Sequence, residues 1–267
     1  MIPNILSIAG TDPTGGAGLQ ADLKTFSAQG AYGMAAVTAV VAQNTQGVRS
    51  FVTLEPGFIA DQIDAVFEDV RVDAVKIGMV ATAAIAEAIA QRLKHHGAKR
   101  IVLDPVMVAK SGHHLLRPDA IAAIRDVLVP LSTLITPNLP EAAVLLGADP
   151  RWTRAEMQAR ARDLRQLGPE WVLLKGGHLE GSSESTDILL GGGDSVEFSA
   201  PRITTKNDHG TGCTLSAAIA ALLPRHGMEE SVRRAKDYLS GALAASDELT
   251  VGHGHGPLHH FHALWRA

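Results

Sequence analysis

Apolar residues along this chain follow two rhythms that take turns. Short, nearly unbroken apolar runs lie at 4–9 (NILSIA), 35–42 (AAVTAVVA), 73–78 (DAVKIG), 100–106 (RIVLDPV), 132–138 (STLITPN) and 170–177 (EWVLLKGG). Each is bounded by turn residues, and runs of this kind predict strands covered on both faces, as in a parallel sheet. Between them the apolar positions recur at helical spacing. In GFIADQIDAVFEDV, Phe58, Ile59, Ile63, Val66 and Phe67 fall on one side. TAAIAEAIAQRLKHHG predicts a second helix, with basic residues in its last turn and Gly97 as its stop. Repeated β–α alternation predicts a three-layer α/β/α sandwich around a mostly parallel central sheet, as one domain over residues 1–267. Residues 186–203 (TDILLGGGDSVEFSAPRI) break the rhythm and predict an antiparallel edge hairpin around Gly191–Gly193. From Thr211 onward the pattern is helical.

Composition narrows the function classes. The chain has 267 residues, 46% of them hydrophobic and 19% charged, enough to bury a full core. A formal net charge of −4 with no run of Lys or Arg argues against nucleic-acid and membrane partners. No segment approaches the ~20 apolar residues needed to span a bilayer. The apolar start stops at Gly10 and lacks a basic leader, so no signal peptide is predicted. A single cysteine excludes an internal disulfide and fits the reducing cytoplasm. The apolar stretch GAYGMAAVTAV is a candidate dimer contact.

Ligands of open parallel sheets bind beyond the carboxyl ends of the strands. The polar residues predicted there are Asp12, Gln43–Asn44, Asp104, Asn138–Glu141 and Lys175, with Met79 among them. KNDHGTGCTLSAA adds a glycine turn before a helix. Unpaired N–H groups of that helix start, with Gly210 and Gly212 lacking Cβ atoms, would cradle a phosphate. No Gly-Lys step exists in the chain, so this is not a P-loop. Taken alone, HGTGC reads equally as a plain turn with Cys213 as a small hydrophobe. If an anion binds, the helix dipole should acidify the Cys213 thiol. The thiolate would then accept a proton from a substrate hydroxyl attacking a phosphoryl group. A covalent role for Cys213 with His209 as partner ranks lower, for want of an orienting third group. Asp104 and Glu141 are oxygen ligands suited to Mg²⁺, and Lys175 is placed to lie along a triphosphate. Each of these has a plain reading as well: Asn138 and Glu141 as helix caps, Asp104 as a turn residue.

Together these motifs resemble the hydroxymethylpyrimidine/phosphomethylpyrimidine kinases of thiamine biosynthesis, within the ribokinase-like fold. The similarity is carried nearly end to end by IAGTDPTGGAGLQADLKTFSAQGAYG, TAVVAQNTQGV, VKIGMV, VLDPVMVAKSG, LITPNLPEAAVLL, LLKGGH, PRITTKNDHGTGCTLSAAIAA and VGHGHGPLHHFHALW. The resemblance implies ATP as phosphoryl donor with Mg²⁺, and a pyrimidine alcohol followed by its monophosphate as acceptors. It implies Cys213 as catalytic base beside the Gly210–Gly212 anion hole. It implies Gln43, Gly10, Asp22, Met79 and Val106 as acceptor-binding residues, and Lys175, Asn138 and Thr211 as ATP-binding ones. A homodimer is a further implication. The family usually has NTHGTGC where this chain has NDHGTGC, so Asp208 adds charge beside a phosphate site. It is expected to point away from the triphosphate or to assist the metal's water shell.

Three rivals compete with that reading. Pyridoxal kinase shares the fold and the glycine turn, so the acceptor rests on Gln43 and its apolar neighbours. GAGLQA (16–21) fits the G-x-G-x-x-A dinucleotide fingerprint, although the second strand ends in Gln43–Asn44 and offers no acidic ribose ligand. A kinase fold kept only for binding is the third. The histidines at 253, 255, 259, 260 and 262 pose a separate question, since imidazole suits Zn, Ni and Cu. The structural reading is preferred, because the family ends in a similar segment.

Overall fold

The computed structural model describes residues 1–107, 118–177, 179 and 182–265. The ends of two quoted motifs, residues 108–112 and His178, lie outside the described residues. The strands are β1 (Asn4–Gly10), β2 (Tyr32–Asn44), β3 (Gly47–Thr53), β4 (Ala74–Ile77), β5 (Ile101–Leu103), β6 (Leu134–Ile135), β7 (Trp171–Lys175), β8 (Glu184–Leu190) and β9 (Val196–Pro201). They form one sheet in the order β3-β2-β1-β4-β5-β6-β7-β8-β9. All pairs from β2 through β7 are parallel, and an antiparallel hairpin closes each edge.

The helices are α1 (Gly18–Ala28), α2 (Pro56–Asp69), α3 (Ala83–His95), α4 (Pro118–Ala123), α5 (Leu139–Leu146), α6 (Arg154–Arg165), α7 (Thr211–Leu222) and α8 (Met228–Ala244). Local chemistry sets their starts. Pro56 opens α2, Thr82 caps α3, and reciprocal side-chain bonds of Asn138 with Glu141 and Thr153 with Glu156 cap α5 and α6. The sheet separates two cores. Ile59, Ile63, Ile85, Ile89, Leu145 and Leu164 pack on one face with Leu6 and Ile8 of β1. Phe26, Leu215, Ile219, Leu222 and Val232 pack on the other with Ile5. These are the three predicted layers, and the predicted edge hairpin is β8–β9.

Three details differ from the pattern-based expectation. β3 was not anticipated: GVRSFVT mixes polar and apolar residues because it is an edge strand with one open side. β2 is longer than 35–42 and is not covered on both faces. Val40 of β2 and Val52 of β3 pair in register and are 53% and 69% exposed. On α2, Ile59 and Ile63 are buried while Phe58 is exposed, since one residue turns the side chain about 100° off the buried stripe. No described helix is long and apolar enough to cross a membrane.

Candidate active site

The parallel strands deliver their last residues to one rim. Gly10 ends β1, Lys175 ends β7, Gln43 sits one residue before the end of β2, and Asp104 and Asn138 follow β5 and β6. A cavity of about 530 Å³ opens there, completed by the N-terminus of α7. Its walls include Gly10, Gln43, Met79, Val106, Asp104, Asn138, Glu141, Lys175, Gly210, Thr211, Gly212 and Cys213. Of the residues given roles from sequence, Asp22 is off the wall, and the rim candidates Asp12 and Asn44 are off it as well.

One end of the cavity is apolar. Met79 packs with Ala39, Val41 and Ala81, and Val106 lies against that cluster. Gln43 is half-buried beside it and brings an amide, which offers both a donor and an acceptor. Gln43 is steadied by Asp12, a buried carboxylate that also holds His209 Nε2 at 2.9 Å and Thr14. Burial alone would push the Asp12 carboxyl up; bonds from His209, Gln43 and Thr14 hold it well below the usual carboxylate range. Asp12 also accepts the backbone N–H groups of Gly16 and Ala17. Those amides are the ones a dinucleotide pyrophosphate would need, so the GAGLQA reading fails on geometry.

The other end is charged. Lys175 Nζ donates to Asp104 Oδ1 at 3.0 Å, and Thr136 donates to the same oxygen at 3.2 Å. Burial opposes ionisation of Asp104, but Lys175 and Lys76 outweigh it and keep the carboxyl below its ordinary value. Glu141 has no such surplus of positive charge. Burial first, and then the Asp104 charge, push it up to about 7 despite Lys175. Asn138 and Glu141 form the reciprocal cap of α5, each bond 2.8 Å, so the capping reading is correct. The cap also presents both side chains to the cavity.

The glycine turn lines the same cavity and borders its charged end, since a Cβ at Gly212 would lie 3.1 Å from Lys175 Nζ. Gly210 caps α7 at φ +86°, and a Cβ there would collide with the Gly16 carbonyl oxygen. No side chain caps α7, nor α1, whose Gly18 N–H reaches Cys213. The expected acidification of Cys213 is not found. Burial raises the thiol, Asp104 and Asp22 raise it further, and Lys76 with the Gly18 N–H only partly offset them, leaving it at about 11. Proximity to a helix start is outweighed here by desolvation and by carboxylates. His209 is turned to Asp12 and makes no hydrogen bond to Cys213 among the described residues, which removes the basis for a Cys–His pair.

Asp22 and Lys76 explain each other. Ser7 and Lys76 are register partners on β1 and β4, both facing α1. Asp22 of α1 receives Lys76 Nζ at 2.8 and 2.9 Å and Ser7 Oγ at 2.5 Å. All three are fully buried, and Lys76, held protonated by Asp22, also lines the cavity. Asp22 thus stands behind the wall and Lys76 stands in it. DAVKIG reads by pattern as a plain apolar strand, yet a lysine at an inward position of a doubly covered strand demands a buried anion. That demand was the available signal.

With this geometry in place, the sequence profile of the phosphomethylpyrimidine kinase family matches residues 12–259. The chain belongs to that family. The hydroxymethylpyrimidine/phosphomethylpyrimidine kinase of Salmonella typhimurium is 59% identical over 263 residues, 98% of each chain. The crystal structure of phosphomethylpyrimidine kinase from Clostridium difficile superimposes with TM-score 0.81 at 43% identity, over 90% of this chain and 99% of that one. An ADP complex of Bacillus subtilis pyridoxal kinase superimposes with TM-score 0.89 at 34% identity, over 97% of this chain and 98% of that one. As a member of the phosphomethylpyrimidine kinase family the chain is a phosphotransferase of ribokinase-like fold, with ATP as donor.

The departure from the family pattern, Asp208, and the tail histidines also have places. Asp208 lies on the cavity wall and accepts His255 Nδ1 at 3.0 Å. The tail histidines are dispersed: His260 meets Thr214, His262 packs on Tyr238, and His259 faces Glu248 at 3.7 Å.

Proposed function

We propose that this chain phosphorylates the hydroxymethyl group of 4-amino-5-hydroxymethyl-2-methylpyrimidine and then phosphorylates the monophosphate to the diphosphate, in thiamine biosynthesis. The observation that carries the reading is one cavity with an apolar, amide-bearing end, a charged end and a cysteine in its wall. Residues 1–267 act as one kinase domain.

The pyrimidine ring lies between Met79 and Val106, with Gln43 reading its amino edge and Gly10 leaving room for the ring. Lys175 and the N–H groups of Gly210, Thr211 and Gly212 hold the transferred phosphoryl group, and Asn138 with Thr211 contacts the nucleotide. In the first step the hydroxymethyl oxygen forms its bond to the γ-phosphorus as the bond to the ADP oxygen breaks. Cys213 takes the hydroxyl proton as its thiolate, the form favoured once the neighbouring Asp104 charge is neutralised. Asp104 and Glu141 fit a divalent cation, because both bring carboxyl oxygens to one cavity wall and the Asp104 charge helps to raise the Glu141 carboxyl, a repulsion that a bound cation would relieve. Mg²⁺ held there would neutralise phosphate oxygens together with the Asp104 charge that raises the Cys213 thiol.

The second step differs in its need for a base. A phosphate monoester loses its second proton near pH 6, so its attacking oxygen is already anionic at neutral pH. Cys213→Ala should therefore cut phosphorylation of the alcohol by about 10²–10⁴ and phosphorylation of the monophosphate much less. Coupled ADP release with each acceptor, checked by product analysis, measures both. Equal losses on the two acceptors, or near-normal turnover of the alcohol, would remove the base assignment. Faster turnover of pyridoxal than of the pyrimidine by the wild type would overturn the acceptor.

The working form is a cytoplasmic homodimer. The lone cysteine and the exposed apolar residues Tyr32, Val40 and Val52 along the β2–β3 edge support it.

A further inference from the structure

The segment 252–257 is stitched to two parts of the active-site rim. On one side lies the β2–β3 turn, two residues beyond Gln43. There the Gly254 N–H donates to Thr45 Oγ1 at 3.1 Å and the His255 N–H donates to the Thr45 carbonyl at 2.8 Å. On the other side lies the approach to the glycine turn. There the His209 N–H donates to the Gly256 carbonyl at 3.1 Å, His209 bridges Pro257, and His255 meets Asp208. The contact is close: a Cβ at Gly254 would fall on the Thr45 carbonyl oxygen. Thr45 is buried, and neither it nor the segment lines the cavity.

Gln43 and the Gly210 turn come from opposite ends of the chain and must keep a fixed separation for a hydroxyl to meet a phosphoryl group. Asp12 links Gln43 to His209 from behind the cavity wall; the 254–256 segment links Thr45 to His209 farther out. We infer that Thr45 is a positioning residue, whose hydroxyl fastens the 254–256 strap and so sets the distance from the acceptor-reading Gln43 to the phosphoryl turn. The inference rests on the assignment of Gln43 to the acceptor.

Thr45→Val keeps the side chain's shape but removes the acceptor for the Gly254 N–H. It should raise KM for the pyrimidine about tenfold, lower kcat, leave KM for ATP within about twofold, and speed amide exchange across 252–257. Thr45→Ser, which restores the hydroxyl, should return these values toward wild type. Gly254→Ala approaches the same contact from the strap side and should reproduce the split between the two substrates. Melting curves on all three establish that the fold is intact. Wild-type kinetics in Thr45→Val, or pyrimidine and ATP constants that worsen together and are not rescued by serine, would overturn the inference. Failure of the wild type to turn over the pyrimidine would instead sink the acceptor assignment, so the two failures are distinct.

Discussion

The two ends of the cavity are built on opposite principles. The acceptor end is a shelf of buried apolar side chains around Met79, with one half-buried amide, Gln43, to give direction. The donor end holds Lys175 3.0 Å from Asp104, with Glu141 near enough to feel both charges, and its two carboxyls are pushed in opposite directions by the same surroundings. Apolar walls discriminate by shape and exclude water, and a single amide costs little to bury when it has a partner. Charged groups stabilise developing charge far more strongly in such a site, but each needs a counter-charge to be tolerated. The difference teaches that the donor end depends on its support, and Lys76 with Asp22 is the clearest part of that support.

The largest effect should come from breaking that pair. Lys76→Met leaves Asp22 buried and unpaired, at a cost of about 3–5 kcal/mol, read as a lower midpoint in denaturant. It also removes the cation that most lowers the Cys213 thiol, so the pKa must rise further above about 11. Because Cys213 is the lone cysteine, alkylation by iodoacetamide against pH reads it directly. Wild-type reactivity should rise only as pH climbs toward 11, and the Lys76→Met profile should lie higher still. Adding Asp22→Leu should recover stability without recovering turnover. If the double variant regains activity, Lys76 serves the fold alone.

A smaller effect belongs to the acceptor end. Gln43→Leu keeps the apolar shelf and removes its single directional group, so KM for the pyrimidine should rise about tenfold while KM for ATP stays put. A matching rise for ATP would show that the two ends are not separable.

The smallest concerns the chain's own departure from its family. The Asp208 carboxylate is engaged by His255 at a partly exposed site, where such pairs contribute about 0–1 kcal/mol. Asp208→Thr should therefore shift the melting temperature by only a degree or two and leave the Mg²⁺ dependence of the rate unchanged. A changed Mg²⁺ dependence would place Asp208 in the metal's water shell.

Residue pattern alone determined the alternation of strands and helices, the β8–β9 hairpin and the rim on which the site is built. Side-chain period and strand direction are local properties, and ligand-bearing residues at strand ends are legible from them. What only the tertiary structure decided were the effects that depend on distant neighbours. Lys76 drew no notice within an apolar run until β1 and α1 brought Ser7 and Asp22 to it. Cys213 looked acidified by its helix until burial and two carboxylates from other elements reversed the sign. The contact of Thr45 with Gly254 carried no signal, the two being 209 positions apart in the chain and one hydrogen bond apart in space. Electrostatic shifts and tethers are sums over what surrounds a group, and that surrounding exists only once the chain has folded.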